Sequence, residues 1–396
     1  MRILQLCPKP PRPLRDGGCL AMDALTMGLL KDGHSVRLLV ASTEKHPSIK
    51  ESLDPTYVAS TRYKAVEIDT TLNIVDALSH LITGESYHIG RFHAPDFERV
   101  LEEILSKEVF DVVILESLFM SSYAPSIRRF SDAILLLRAH NVEHRIWQGL
   151  VDESKLGFRK LYLSTLTKQL KEYESVKIND FDALIPITKE DATIFRNVGA
   201  TIPIHVSPFG MTFEEQTTLQ TKAPNHIFHF GSMDWQPNIQ GVKWLVEEVW
   251  PKVRSEKPDA QLVLAGRNMP RTLISDKENG IEVIGEVDCA AEFLNRDGIM
   301  TIPIHSGSGM RVKAVEGMSA GRPTVSTEIG VCGLDLVNGE HALIADSSHE
   351  FASHIVTLLD NPELASSISK RGKEHIRSTF SNSKIISDLV KFISSI

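Results

Sequence analysis

The sequence predicts an α/β protein of two domains, each a doubly wound parallel sheet. Three observations carry that prediction. The chain has 396 residues, whereas a single hydrophobic core stops growing near about 250 to 300 residues and longer chains divide. Short β-branched and leucine-rich runs bounded by turn residues alternate with amphipathic stretches from end to end, the βαβ pattern of parallel sheets. Midway along the chain this periodicity vanishes and then restarts.

Taken in order, strands are expected at MRILQLC (1–7), SVRLLVA (35–41), FDVVILES (110–117), AILLLRA (133–139) and DALIPIT (182–188). The interruption is SPFGMTFEEQTTLQTKAPNH, a polar stretch with prolines near both ends, which puts the domain boundary within residues 208–224. Beyond it, strands are expected at HIFHFGS (226–232), QLVLAG (261–266), IEVIGEV (281–287), IMTIPI (299–304) and PTVST (323–327). The final FSNSKIISDLVKFISSI reads as an amphipathic helix after a Ser/Asn break, crossing back onto the first domain. The expected domains are therefore residues 1–208 and 209–379, with the helix of about 380–396 returning to the first. Between two such domains a cleft is expected at the C-terminal edges of the sheets, where open α/β folds bind ligands.

Composition narrows the function. Forty-three basic against fifty-one acidic side chains leave a formal charge of −8, so there is no general attraction for nucleic acid and anionic ligands must be handled locally. Cys7, Cys19, Cys289 and Cys332 are scattered without a C-x-x-C pair, which suggests neither a disulfide framework nor a zinc ribbon and fits a reducing cytosol. No apolar run approaches the roughly 18 residues of a spanning helix, and the start MRILQLCPKPPRP lacks a signal-peptide layout. The expected location is cytoplasmic, and peripheral contact with the inner membrane face stays open.

The segment richest in chemistry is HSGSGMRVKAVEGMSAGRPTVST, directly after IMTIPI. Gly307 and Gly309, either side of Ser308, free the backbone, and a helix is expected from about Met310 to Ala320, stopped by Gly321. N–H groups at a helix start after a glycine-rich loop make a natural phosphate seat. Arg311 and Lys313 add two cations to it, well placed for the charge that a diphosphate leaving group gains as a sugar bond breaks. Glu316 follows Lys313 by three residues on the same face, roughly 9 Å along the axis from Met310, a distance that suits a ribose whose hydroxyls donate to a carboxylate. The plain alternative is a Lys313–Glu316 surface pair.

Strand, Gly-rich loop, basic helix start, Glu316 and the MSAGRPTVST run together resemble the nucleotide-sugar motif of family 4 glycosyltransferases, in the subgroup written G-x-G-x-R-x-K-x-x-E. Typical members carry two glutamates seven residues apart; here Ser308 stands at the first position and Glu316 at the second. A second stretch, HIFHFGSMDWQPNIQGVKWLVEEVWPKVRSEKPDAQLVLAG, looks like the opening βαβ unit of the same subgroup's nucleotide-binding domain. Gly231 and Ser232 fall at its first strand end, for close approach to a phosphate or simply a tight turn.

On the N-terminal side, Gly17 and Gly18 precede an amphipathic helix, an opening that resembles GT-B chains; their N–H groups would face donor phosphates or acceptor. Arg138, His140, Asn141 and Glu143 gather at the end of AILLLRA, where parallel strands make ligand contacts. R-A-H-N-V-E is similar to the family's first-domain histidine region, which implies that His140 contacts the donor sugar and bends it toward the acceptor. Without the resemblance it would be a structural histidine. Glu143 could orient a neighbour or begin a helix, and the stretch after it, to about residue 181, reads as extended helix.

The resemblance implies the GT-B fold of two Rossmann-like domains and retention of anomeric configuration. It also implies transfer of a hexose or related sugar from a nucleotide-diphosphate sugar to a glycan or lipid-linked acceptor, as in polysaccharide assembly for the cell envelope. No D-x-D element stands at a strand end near the motif, and Arg311 and Lys313 could replace a metal's charge, so metal-independent transfer is expected, without a cofactor. Three rival readings share parts of this pattern. A dinucleotide oxidoreductase lacks G-x-G-x-x-G after the first strand. The others are a nucleotide-sugar epimerase of the same architecture and a non-catalytic sugar-nucleotide binding protein, the latter suggested by Ser308.

Overall fold

A computed structural model of the chain describes residues 1–70, 87–154, 157–213, 226–307 and 310–396. It divides into two compact units, Met1–Met211 with Asn382–Ile396, and Thr212–Ser381. Most of the interruption placed at residues 208–224 lies outside the described residues.

The first unit holds a six-stranded sheet in the order β3-β2-β1-β4-β5-β6, every pair parallel. Its strands are β1 Arg2–Cys7, β2 Ser35–Ser42, β3 Lys64–Glu67, β4 Val112–Leu115, β5 Ile134–Ala139 and β6 Ala183–Pro186. Alternation along β1 and β4 divides the apolar side chains between the two faces. Leu4, Leu6, Val113 and Leu115 pack with Phe97 and Leu101 of the helix Pro95–Lys107, while Ile3, Cys7, Val112 and Ile114 pack with Met22, Leu25 and Leu29 of the helix Gly17–Lys31. The C-terminal helix Asn382–Ile393 belongs to this unit: Ile386 packs over Gly28, and the Asn382 amide donates to the Ala24 carbonyl at 2.8 Å.

The second unit repeats the plan. Its all-parallel sheet runs β12-β11-β10-β7-β8-β9. The strands are β7 His226–Phe230, β8 Gln261–Ala265, β9 Ile281–Gly285, β10 Ile299–Ile302, β11 Thr324–Ser326 and β12 Leu343–Ile344. Read outward from β7, this is the same winding as in the first unit. The winding reverses between β1 and β4 in one sheet and between β7 and β10 in the other, and open α/β sheets bind ligands beyond the strand ends at that reversal.

Two expectations are corrected. Beyond Glu143 there are two helices, Glu143–Glu153 and Phe158–Lys177, rather than one extended helix, with Gly157 in the left-handed region (φ +148°) before the second. The strands β3 and β12 are additions to the expected set, β3 being KAVE and β12 only the two residues Leu343–Ile344. Both are short edge strands, and β3 is half-exposed, so neither buries enough surface to leave a period-2 pattern.

Candidate active site

At the β1/β4 reversal, a buried polar network underlies a cavity of about 400 Å³. Glu116, just beyond β4, is its hub. Its carboxylate accepts from Gln5 at 2.7 Å, from Arg138 at 3.0 Å and from His140 Nε2 at 2.6 Å. Arg138 also donates to the Ala21 carbonyl at 3.0 Å. Gln5, Glu116 and Arg138 are all buried. Burial would raise the Glu116 carboxyl, but Arg138 and His140 outweigh it and hold it below the usual carboxylate range. Burial in turn keeps His140 below the ordinary histidine value despite its carboxylate partner. The ring is thus a neutral donor to Glu116 through Nε2, which leaves Nδ1 for a ligand. His140 and Asn141 line the cavity; Arg138 does not, being turned inward as the counter-ion of Glu116.

Gly17 and Gly18 open the helix Gly17–Lys31 behind Asp16 at the N-cap. Asp16 accepts from the Cys19 N–H at 2.9 Å and from Lys9 at 2.6 Å. Burial would raise its carboxyl, yet Lys9 and the Cys19 N–H hold it at about 2. The helix start therefore already carries a carboxylate, and Gly18, on the cavity wall, contributes shape more than positive field.

Glu143 begins its helix, but its backbone N–H is capped from another helix: it donates to Glu174 at 3.0 Å, and the neighbouring His144 side chain meets the same carboxylate at 2.5 Å. Burial, and after it the charge of Glu174, raises the Glu143 carboxyl to about 8. An unfolded glutamate titrates near about 4.3. Between those values only the folded chain keeps the proton. The stability this group contributes is therefore complete below about pH 4.3 and lost as pH climbs through about 8. Glu143→Gln should melt like the parent near about pH 4 and several degrees higher above about pH 8; calorimetry giving parallel curves would contradict the assignment.

At the β7/β10 reversal the chain leaves β10 and reaches Gly307. Its φ is +101°, and a Cβ there would come within 2.7 Å of the Trp235 ring, so only glycine fits. Ser308 and Gly309 lie outside the described residues. The helix is Val312–Ser319, starting later than the expected Met310, because Arg311 takes the N-cap in an extended conformation (φ −86°, ψ 94°). It ends in a Schellman turn at Gly321 (φ +78°), with Arg322 N–H donating to Gly317 at 3.1 Å and Gly321 N–H to Met318 at 2.9 Å.

The Arg311 guanidinium lies 4.6 Å above the Trp235 ring centroid. Burial lowers it to about 10, still charged at neutral pH. Lys313 Nζ sits 5.0 Å from the Phe230 ring centroid and 2.7 Å from Glu316 Oε2. The plain surface pair is therefore formed, and a ribose at Glu316 would share that carboxylate with Lys313. Gly231 and Ser232 follow β7, but the Gly231 N–H donates to the Ala265 carbonyl at 3.1 Å. A phosphate would have to use other donors. The Ser232 hydroxyl donates to Asp234 at 2.9 Å, and Asp234 pairs with Arg267 at 3.0 Å. Among the described residues no group of three or more His, Cys, Asp or Glu could hold a metal ion, and no helix is long and apolar enough to cross a membrane.

Both reversals thus carry polar chemistry, and comparison with known proteins bears on the second. Residues 224–361 match the family model of the glycosyl transferases, group 1. This group 1 segment contains β7 to β12, Gly307, Arg311, Lys313 and Glu316. Over 313 residues, 74% of this chain and 76% of the relative, the sequence is 25% identical to a 44.6 kDa protein in the cps region of Klebsiella pneumoniae. Two solved structures share the whole fold. Sucrose-phosphate synthase from Thermosynechococcus elongatus superposes with a TM-score of 0.69 at 15% identity, covering 100% of this chain and 99% of that one. HepE of Anabaena, in complex with UDP, does so at 0.65 and 14%, covering 100% of both. The fold is GT-B, with a Rossmann-like unit on each side of the group 1 boundary.

Proposed function

We propose that the chain is a retaining glycosyltransferase, moving a hexose or related sugar from a nucleotide-diphosphate donor to a glycan or lipid-linked acceptor. The observation that carries this reading is the order of groups after β10 within the group 1 segment. A glycine-only turn at Gly307 leads to a cation at the helix N-cap, Arg311, and one helical turn later to the Lys313–Glu316 pair. The turn and helix start present N–H groups to the diphosphate, Arg311 neutralises the charge that grows on it, and Glu316 holds the ribose. Met310, directly before the N-cap, is read on the phosphate side of that seat. The fixed charge of Arg311 and Lys313 stands in for a metal, and the departing phosphate accepts the proton of the attacking hydroxyl. In the first unit, His140 presents Nδ1 to the transferred sugar while Glu116 fixes its ring. The UDP held by HepE is consistent with a donor of this class.

The test is release of nucleotide diphosphate from a panel of nucleotide sugars, in the presence of a chelator, with and without acceptors. Acceptor-dependent release is the expected result. An epimerase would convert the sugar without an acceptor, and a binding protein would release nothing. Glu316→Ala should weaken nucleotide affinity by about 1.5 to 3 kcal/mol, the worth of hydrogen bonds to a charged acceptor; calorimetry giving equal affinities would remove Glu316 from the ribose site.

A further inference from the structure

We propose that the cavity in the first unit selects an acceptor bearing an acidic group, phosphate or carboxylate, through Lys45 and Arg91. This rests on reading the chain as a sugar transferase and deepens it, by naming the class of molecule that receives the sugar.

The cavity at the ends of the first sheet's strands is lined by Lys9, Lys45, His46 and Arg91 above the Glu116–His140 floor, with Phe92 and Trp147 among its apolar walls. The charges on these walls do not cancel. Lys9 is matched by Asp16 at 2.6 Å. Glu116 is committed to Arg138 and His140, and Glu143 is protonated at neutral pH. Among the described residues neither Lys45 nor Arg91 is in an ion pair, and the Nε of Arg91 is shielded from solvent without a hydrogen-bond partner. After burial, the groups that most oppose protonation of His46 are Lys9 and Lys45, with Arg15 adding to them and only Asp16 acting against. Lys9, Lys45 and Arg15 thus act together at His46, and Arg91 lines the same cavity.

This concentration runs against the balance of the whole chain, whose formal charge is −8, so it is not a by-product of composition. The shielded Nε of Arg91, without a partner among the described residues, costs desolvation unless an acceptor meets it, and the exposed Lys45 adds a second positive charge to the same cavity. Phe92 and Trp147 line the same cavity and would give a sugar ring apolar walls; the acidic substituent is what Lys45 and Arg91 select. Arg91 offers a planar fork suited to phosphate or carboxylate, and Lys45 a point charge.

The experiment is calorimetric titration without donor, using glucose 6-phosphate, glucuronate, inorganic phosphate and neutral glucose. It compares the parent chain with Lys45→Ala, Arg91→Ala, Arg91→Lys and Arg311→Ala, each checked for an unchanged melting temperature. The expected result is binding of at least one acidic sugar about tenfold or more tighter than glucose. That binding should weaken by about 10- to 100-fold in Lys45→Ala and Arg91→Ala, recover in part in Arg91→Lys, and persist in Arg311→Ala. Whether glucose 6-phosphate or glucuronate binds tighter separates phosphate from carboxylate acceptors.

The proposal is overturned by no acidic probe binding, by equal binding of glucose, or by loss on Arg311→Ala alone, which would put the anion at the donor's phosphate seat. It is overturned too by a fall in nucleotide diphosphate affinity in Lys45→Ala and Arg91→Ala, since these cations would then serve the donor. Failure of the transferase reading looks different, with acidic sugars bound through Lys45 and Arg91 but no nucleotide sugar ever cleaved.

Discussion

Arg311→Ala should lower turnover by about 10² to 10³ in a verified donor assay, with little change in the stability of the group 1 segment. The size follows from where the charge sits. Arg311 has already been desolvated on folding and is held over Trp235, so no reorganisation is needed when the sugar–phosphate bond breaks. Lys313 alone cannot replace Arg311, because Glu316 at 2.7 Å offsets part of its charge. Arg311→Lys should recover only part of the loss, since a point charge lacks the planar fork. The fall should appear in kcat and in kcat/KM together, as expected for an interaction strongest in the transition state. Unchanged turnover in Arg311→Ala would remove this side chain from the mechanism.

Arg138→Met should destabilise the first unit by about 3 to 5 kcal/mol, the usual result of stranding one charge of a buried pair. Gln5 and His140 would remain on Glu116, but both are neutral donors. In the parent, the depressed Glu116 carboxyl contributes stability that is complete above the ordinary carboxylate range and lost as pH falls below it. The variant's deficit should therefore shrink in acid, and a second change, Glu116→Gln, should restore most of the lost stability at neutral pH. Because two units unfold, amide exchange of β4 and β5 is a better readout than a single melting temperature. Exchange protection equal to the parent's would mean that the pair carries no net weight.

These two residues also mark where the sequence was informative and where it was not. The placement of Arg311 and Glu316 about one helix start is legible because it is local: loop, cap and one helical turn lie within ten residues. Arg138 was read as a ligand contact from its place at a strand end, yet it faces inward, because its partner Glu116 comes from the neighbouring strand. Glu116 itself was missed. It ends the apolar run FDVVILES, and a carboxylate just past a buried parallel strand is a signal that could have been used. Lys45 and Arg91 left no such trace, since only the winding of the sheet brings them to the same cavity. The strands β1, β2 and β5 were read nearly to the residue, being runs buried on both faces, whereas β3 and β12 at the sheet edges were invisible.

The most direct measurement is a crystal structure of the chain with a nucleotide sugar bound. The account predicts the diphosphate against the Gly307 turn and within hydrogen-bond distance of the Arg311 guanidinium, with the ribose toward Glu316. A diphosphate seated anywhere else, with Arg311 still stacked on Trp235 and touching no phosphate oxygen, would contradict it.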